Sequence, residues 1–141
     1  MGLDDAYQIT WLVRRLFRTM AARADAYLQS ADLTAADRAV MEFLYPDESL
    51  SVPGIAERYE VSRQHVQVTV NGLLQRKLLR SATNPKHKRS PLFRLTGVGR
   101  EQFAEIRANE TTLLEQAFAG IDDSELDATR QTLHTLIERL K

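Results

Sequence analysis

The chain contains no cysteine, which excludes disulfides, thiolate metal sites and a thiol redox sensor and fits a reducing compartment. No apolar run approaches the ~18–20 residues of a membrane-spanning helix. The first residues, MGLDDAYQIT, lack the basic-then-apolar order of an export signal. The expected location is the cytoplasm. Three histidines, His65, His87 and His134, stand far apart with no neighbouring ligand or nucleophile pattern, so no metal site or catalytic constellation is expected. Gly97 and Gly99 follow a predicted strand, but Gln102 stands where a dinucleotide-binding fingerprint needs its third glycine. The chain is therefore not expected to be an enzyme, and no cofactor is expected. Internal repeats and low-complexity segments are also absent.

A further absence is local. Between Glu60 and Glu101 there is no acidic side chain, yet nine basic ones: Arg63, Arg76, Lys77, Arg80, Lys86, Lys88, Arg89, Arg94 and Arg100. The whole chain carries 19 basic and 19 acidic groups, so the remainder holds 10 basic against 19 acidic ones. A neutral chain sorted into a segment of plus nine and a remainder of minus nine is suited to meet a polyanion with one segment and stay soluble with the rest. At 141 residues, 43% of them hydrophobic and 27% charged, the chain fits one ordinary folded domain.

What is present is mostly helical periodicity. From Asp4 to about Gln29, Ile9, Leu12, Val13, Leu16, Phe17, Met20, Ala24, Tyr27 and Leu28 recur at helical spacing. Tyr7 and Trp11 add bulk outside that stripe, which suggests a second buried face against a partner. Thr34 and Asp37 form a capping-box signal ahead of Val40, Met41 and Leu44, and Tyr45-Pro46 marks the end of that helix. Ser51 and Pro53 open a short helix to about Tyr59, and Ser62 caps another. Leu78–Ala82 and Leu92–Leu95 read as strands around a basic loop. A long helix to about Phe118, closed by Gly120, and a last one from Asp122 or Asp123 complete the chain.

Ile55, Ala56, Tyr59, Val61 and Val66 occupy the positions a helix-turn-helix must fill. The small Ala56 permits a close crossing, and Val61 plugs the turn. Followed at once by a basic hairpin, the pair reads as a winged helix: mainly α, with a short two- or three-stranded β-wing and long N- and C-terminal helices. On the helix after Ser62, Val66, Val70, Leu73 and Leu74 form the buried stripe and leave Arg63, Gln64, Gln67, Val68 and Asn71 away from it. Gln64, Gln67 and Asn71 carry the donors and acceptors that bond adenine or other base edges, though an exposed amide is as often simply solvated. Val68 fits either a thymine methyl or the edge of the core. Ser62, at the donor-rich start of this helix, suits phosphate, and Arg63 suits guanine or phosphate. Lys86, Lys88 and Arg89 at the hairpin tip suit the DNA backbone, with Arg89 expected to enter a narrow minor groove.

Leu33-Thr34, Ile55-Ala56-Glu57, Val61-Ser62-Arg63, Val66, Leu73, Leu79-Arg80, Asn84-Pro85, Arg89-Ser90, Leu95-Thr96 and Gly99-Arg100 together resemble the multiple antibiotic resistance regulator (MarR) family of bacterial transcription factors. The resemblance spans essentially the whole chain and is strongest from Leu33 to Arg100. It implies a homodimer knit by the first and last helices, binding a palindromic operator in double-stranded DNA, usually as a repressor and often released by a small aromatic effector. Implied regions are an N-terminal dimerisation helix (1–32), a winged helix-turn-helix (33–100) and C-terminal dimerisation helices (101–141). Tyr7, Trp11, Arg15 and Met41 are the residues available to an effector, each equally at home in a core or interface. Two positions depart from the family pattern. His87 stands where an acidic residue usually braces the tip arginine, and Gln67-Val68 replaces a frequent Thr-Arg. The alternative function is a winged helix that serves as a protein-interaction module or co-regulator, since fold does not fix function.

Overall fold

In a computed structural model of the chain, residues 2–141 are described, and they fall in two compact units, one ending at Asn109 and the other Glu110–Lys141. The first unit begins with α1 (Leu3–Ser30), whose only buried residue is Leu28. Ala24, Tyr27 and Ala31 also pack against the core. Upstream of them the predicted apolar stripe is exposed: Leu12, Val13, Leu16, Phe17 and Met20 keep 43–72% of their surface. The helical period is therefore correct, but within one chain only its last turn finds a core.

Helix α2 (Ala35–Leu44) starts in the predicted capping box. The Thr34 hydroxyl accepts the Asp37 N–H at 3.1 Å, and the Asp37 carboxylate accepts the Thr34 N–H at 3.0 Å. Ser51 caps α3 (Val52–Tyr59) by accepting the Gly54 N–H, and Ser62 caps α4 (Arg63–Gln75) by accepting the His65 N–H. Between α3 and α4 the backbone turns at Glu60, whose φ of 58° is left-handed, and the Val61 N–H donates to Ala56 O at 3.3 Å. These are short-range contacts dictated by neighbouring residues, so they are where the sequence reading is sharpest.

The sheet has three antiparallel strands in the order β1 (Leu50–Ser51), β3 (Leu92–Leu95), β2 (Leu79–Ala82). β2 and β3 form the hairpin, with Leu79 opposite Leu95 and Ala82 opposite Leu92, while Leu50 lies opposite Phe93. Phe93 and Leu95 point into the core with Val40, Met41, Leu44, Ile55, Val66, Val70, Leu73 and Phe103. Helix α5 (Gly97–Phe118) follows directly. Thr96 fixes its start: its hydroxyl accepts the Gly99 N–H at 3.0 Å and donates to Lys77 O at 2.7 Å. A Cβ on Gly99 would lie 2.2 Å from Leu78 O, so this close approach of helix to strand requires glycine.

Of the predicted α5 stripe, Phe103 and Ile106 are buried. The second unit holds the end of α5 and α6 (Asp123–Leu140), joined through Gly120 at φ 80°. No residue of α6 is buried, and Leu114, Phe118, Ile121, Leu133, Ile137 and Leu140 remain exposed.

Candidate nucleic-acid interface

Helix α4 is seated by Val66, Thr69, Val70 and Leu73, all buried. The helical period then turns Gln64, Gln67, Val68 and Asn71 to the opposite face, and all four are exposed. Val68 is 67% exposed, which removes it from the core edge that its apolar side chain allowed. Gln67 Nε2 donates to Asn71 Oδ1 at 2.8 Å, an i, i+4 pair that holds two amides together on the outward surface. The helix presents its N-terminus, with its partial positive charge, beside Arg63.

The wing loop, residues 83–91, is closed by Asn84. Its side-chain Nδ2 donates to Ser90 O at 3.0 Å, and its Oδ1 accepts the Lys86 N–H at 3.1 Å. Backbone bonds from His87 N–H to Asn84 O and from Ser90 N–H to His87 O complete the turn. Where the family pattern puts an acidic brace and this chain has His87, the loop is organised by a neutral amide one turn earlier.

Arg63, Gln64 and Gln67 of α4 share one cleft of about 350 Å³ with Arg89, Ser90 and Phe93 of the wing. The sequence-selected residues of helix and wing thus converge, while Lys86 and Lys88 stay exposed at the loop tip. Val52, Pro53 and Pro91 also line this cleft. They were not recognisable beforehand, because only the pairing of β1 with β3 brings the start of α3 to the base of the wing.

The nine cations of the acid-free segment divide into two sets. Arg76 donates to Asp37 Oδ2 at 2.9 Å, to Asp32 O at 2.6 Å and to Gly72 O at 3.2 Å. Arg100 donates to Asp47 Oδ1 at 2.7 Å and to Pro46 O at 3.0 Å, and Arg94 lies 3.8 Å from the same Asp47 oxygen. These three lie against two carboxylates from outside the segment, Asp37 and Asp47, with Arg94 and Arg100 sharing Asp47. Arg63, Lys77, Arg80, Lys86, Lys88 and Arg89 have no ion pair among the described residues, and they supply the charge available to a polyanion.

The effector residues do not assemble in the same way. Met41 is fully buried in the core, so a ligand cannot touch it without opening the packing. Its position in the α2 stripe is structural. Tyr7 and Trp11 are 68% and 52% exposed on α1, and the Arg15 guanidinium sits 5.3 Å from the centre of the Trp11 ring. Among the described residues no group of three or more histidine and acidic side chains could hold a metal, and no helix is long and apolar enough to cross a membrane.

The model of the MarR family matches residues 31–90, the stretch that holds α2, α3, α4 and the hairpin loop. An uncharacterized protein of Mycobacterium tuberculosis is 31% identical over 137 residues, covering 97% of this chain and 90% of the relative. Among solved structures, the MarR family transcription regulator SP03579 superposes with a TM-score of 0.86 at 25% identity, over 98% of this chain and 91% of the other. Bordetella bronchiseptica BpsR, whose DNA binding is regulated by 6-hydroxynicotinic acid, has a TM-score of 0.76 at 23% identity over 91% of each chain.

Proposed function

Because the chain belongs to the MarR family of DNA-binding transcription regulators, we propose that it acts as a homodimer that sets one α4 helix and one wing on each half of a palindromic operator and represses transcription there. The observation that carries this reading is the cleft shared by Arg63, Gln64, Gln67 and Arg89. A helix face rich in amides and a wing arginine are thereby aimed at adjacent grooves of one duplex. Lys86 and Lys88 extend the same surface toward phosphate. Charge on both helix and wing favours a duplex over an acidic protein surface, which needs no such spacing.

Support for the dimer comes from apolar surface left uncovered in one chain. Leu12, Val13, Leu16, Phe17 and Met20 on α1 are exposed, and separately so are Leu133, Ile137 and Leu140 on α6, and each stripe is apolar surface of the kind that self-association covers. Sedimentation tests this. The wild-type chain should run as a dimer and bind one operator per dimer. Phe17→Glu should yield a monomer with native circular dichroism and sharply reduced operator affinity. A wild-type monomer that binds an operator one to one would contradict the reading.

An aromatic acid is the effector class that fits Tyr7, Trp11 and Arg15, offering rings to stack on and a guanidinium to pair with. BpsR's regulation by 6-hydroxynicotinic acid supports that chemistry. Trp11 is the sole tryptophan, so titration with 6-hydroxynicotinic acid should change its fluorescence and weaken operator binding over one concentration range. Unchanged fluorescence and binding at millimolar acid would remove this compound from consideration.

A further inference from the structure

We infer that Gln67, Asn71 and Val68 form one reading unit for A·T pairs, with Val68 recognising the thymine methyl. The inference rests on the DNA-reading role proposed for α4 and specifies what that helix selects.

On the outward face of α4, Gln67 Nε2 donates to Asn71 Oδ1 at 2.8 Å. With that bond made, Gln67 Oε1 is the wholly free acceptor and Asn71 Nδ2 the wholly free donor, beside a second N–H that remains on Gln67 Nε2. If both amides flip, so that Asn71 Nδ2 donates to Gln67 Oε1 instead, the wholly free groups are again one oxygen and one NH2, side by side. In the major groove adenine offers N7 as acceptor and N6 as donor, which this remainder complements. Guanine offers two acceptors, O6 and N7, which the free N–H groups can reach but which leave the Gln67 oxygen without a base donor, so adenine satisfies the pair more fully.

One other edge would satisfy the amides: the O6 acceptor of guanine next to the N4 donor of its paired cytosine. Val68 separates the two cases. It is 67% exposed, follows Gln67 directly and lies three residues before Asn71, so on a helix it flanks the amide pair. An exposed valine gains from contact with a methyl group and gives nothing to the bare C5 position of cytosine. The sequence of groups along the helix surface, acceptor and donor with an apolar edge, corresponds to an A·T pair or to adjacent A·T pairs. No charge lies in this set, so it contributes selectivity and leaves the salt-dependent affinity to Arg63, Arg89 and the wing lysines.

The test uses the full-length protein and an operator duplex obtained by selection from random sequence. Thymines in the α4 footprint are replaced by deoxyuridine, which deletes only the methyl, and adenines by 7-deazaadenine, which deletes only N7. Wild-type affinity should fall roughly 3- to 4-fold per methyl removed, and Val68→Ala should show no response to the same replacement. Gln67→Ala and Asn71→Ala should each erase the preference for adenine over guanine, about 5- to 150-fold at the position read. The double variant should lose no more than either single one, as members of one unit do. Native circular dichroism of these surface variants separates selectivity from folding. Specific binding to a selected operator whose α4 footprint is G·C, or which ignores deoxyuridine replacement, overturns the inference and leaves the DNA-reading role intact. Failure to enrich any sequence sinks that role itself, and the inference with it.

Discussion

Arg89→Ala should lower not only operator affinity but its dependence on salt, and the magnitude follows from the division of cations. Six of the nine have no ion pair among the described residues, whereas Arg76, Arg94 and Arg100 lie against Asp37 and Asp47. Each neutralised phosphate contributes about 0.9 to the slope of log affinity against log salt. Removing two copies of Arg89 from the DNA, one per half-site, would reduce that slope by roughly 1.8. Between 50 and 200 mM salt, a fourfold range, the affinity deficit of the variant should therefore shrink about tenfold. Arg100→Ala provides the contrast: it deletes the same formal charge, but one already matched by Asp47, so the slope should stay within about 0.3 of wild type. Fluorescence anisotropy of a labelled operator at five salt concentrations measures both. An unchanged slope for Arg89→Ala, or an equal reduction for Arg100→Ala, would refute the division of the segment into internal and available charge.

Removing Arg76 leaves the Asp37 carboxylate, 8% exposed, without its cation; Arg76→Ala should cost about 2–4 kcal/mol in urea unfolding at fixed protein concentration, and a loss below about 0.5 kcal/mol would show that the pair is dispensable. Gly99→Ala, whose Cβ meets Leu78 O at 2.2 Å, should destabilise by about 2–3 kcal/mol; native stability would mean that α5 shifts freely against β2. Lys77 sits at φ 60°, so Lys77→Gly should raise stability by about 1 kcal/mol, and a loss would mean that its side chain contributes more than its backbone strain costs. Asn84→Ala removes the bonds to Ser90 O and Lys86 N–H; operator affinity should drop about 3- to 10-fold with thermal stability little changed, whereas wild-type affinity would show that the wing holds its shape without this amide.

Much of this architecture was legible because its determinants are local. Thr34 with Asp37, Ser51 with Pro53, and Ser62 each announce a helix within four residues, and the observed caps use these hydroxyls. The face of α4 followed from its period. The third strand, Leu50–Ser51, spans two residues, too few for alternation to register. The fate of individual charges was hidden for a different reason: Arg76 meets a carboxylate 39 positions away and Arg100 one 53 positions away. Charge counting sees nine cations, and only the fold withdraws three of them. Met41 shows what a period leaves open. Its place in the apolar stripe of α2 was evident, but the period alone could not distinguish a residue sealed in the core from one lining a cleft. The exposed length of α1 has a different status, since the helix was correctly read but a single chain leaves most of its apolar stripe uncovered.

Selection of bound duplexes from a pool with random central sequence, performed at two salt concentrations, tests most directly whether α4 and the wing of a dimer read DNA. A palindrome with half-sites about one helical turn apart, bound more weakly at the higher salt, is the result this account predicts. An unenriched pool, with binding lost at physiological salt, would contradict it and leave the basic surface as a contact for another macromolecule.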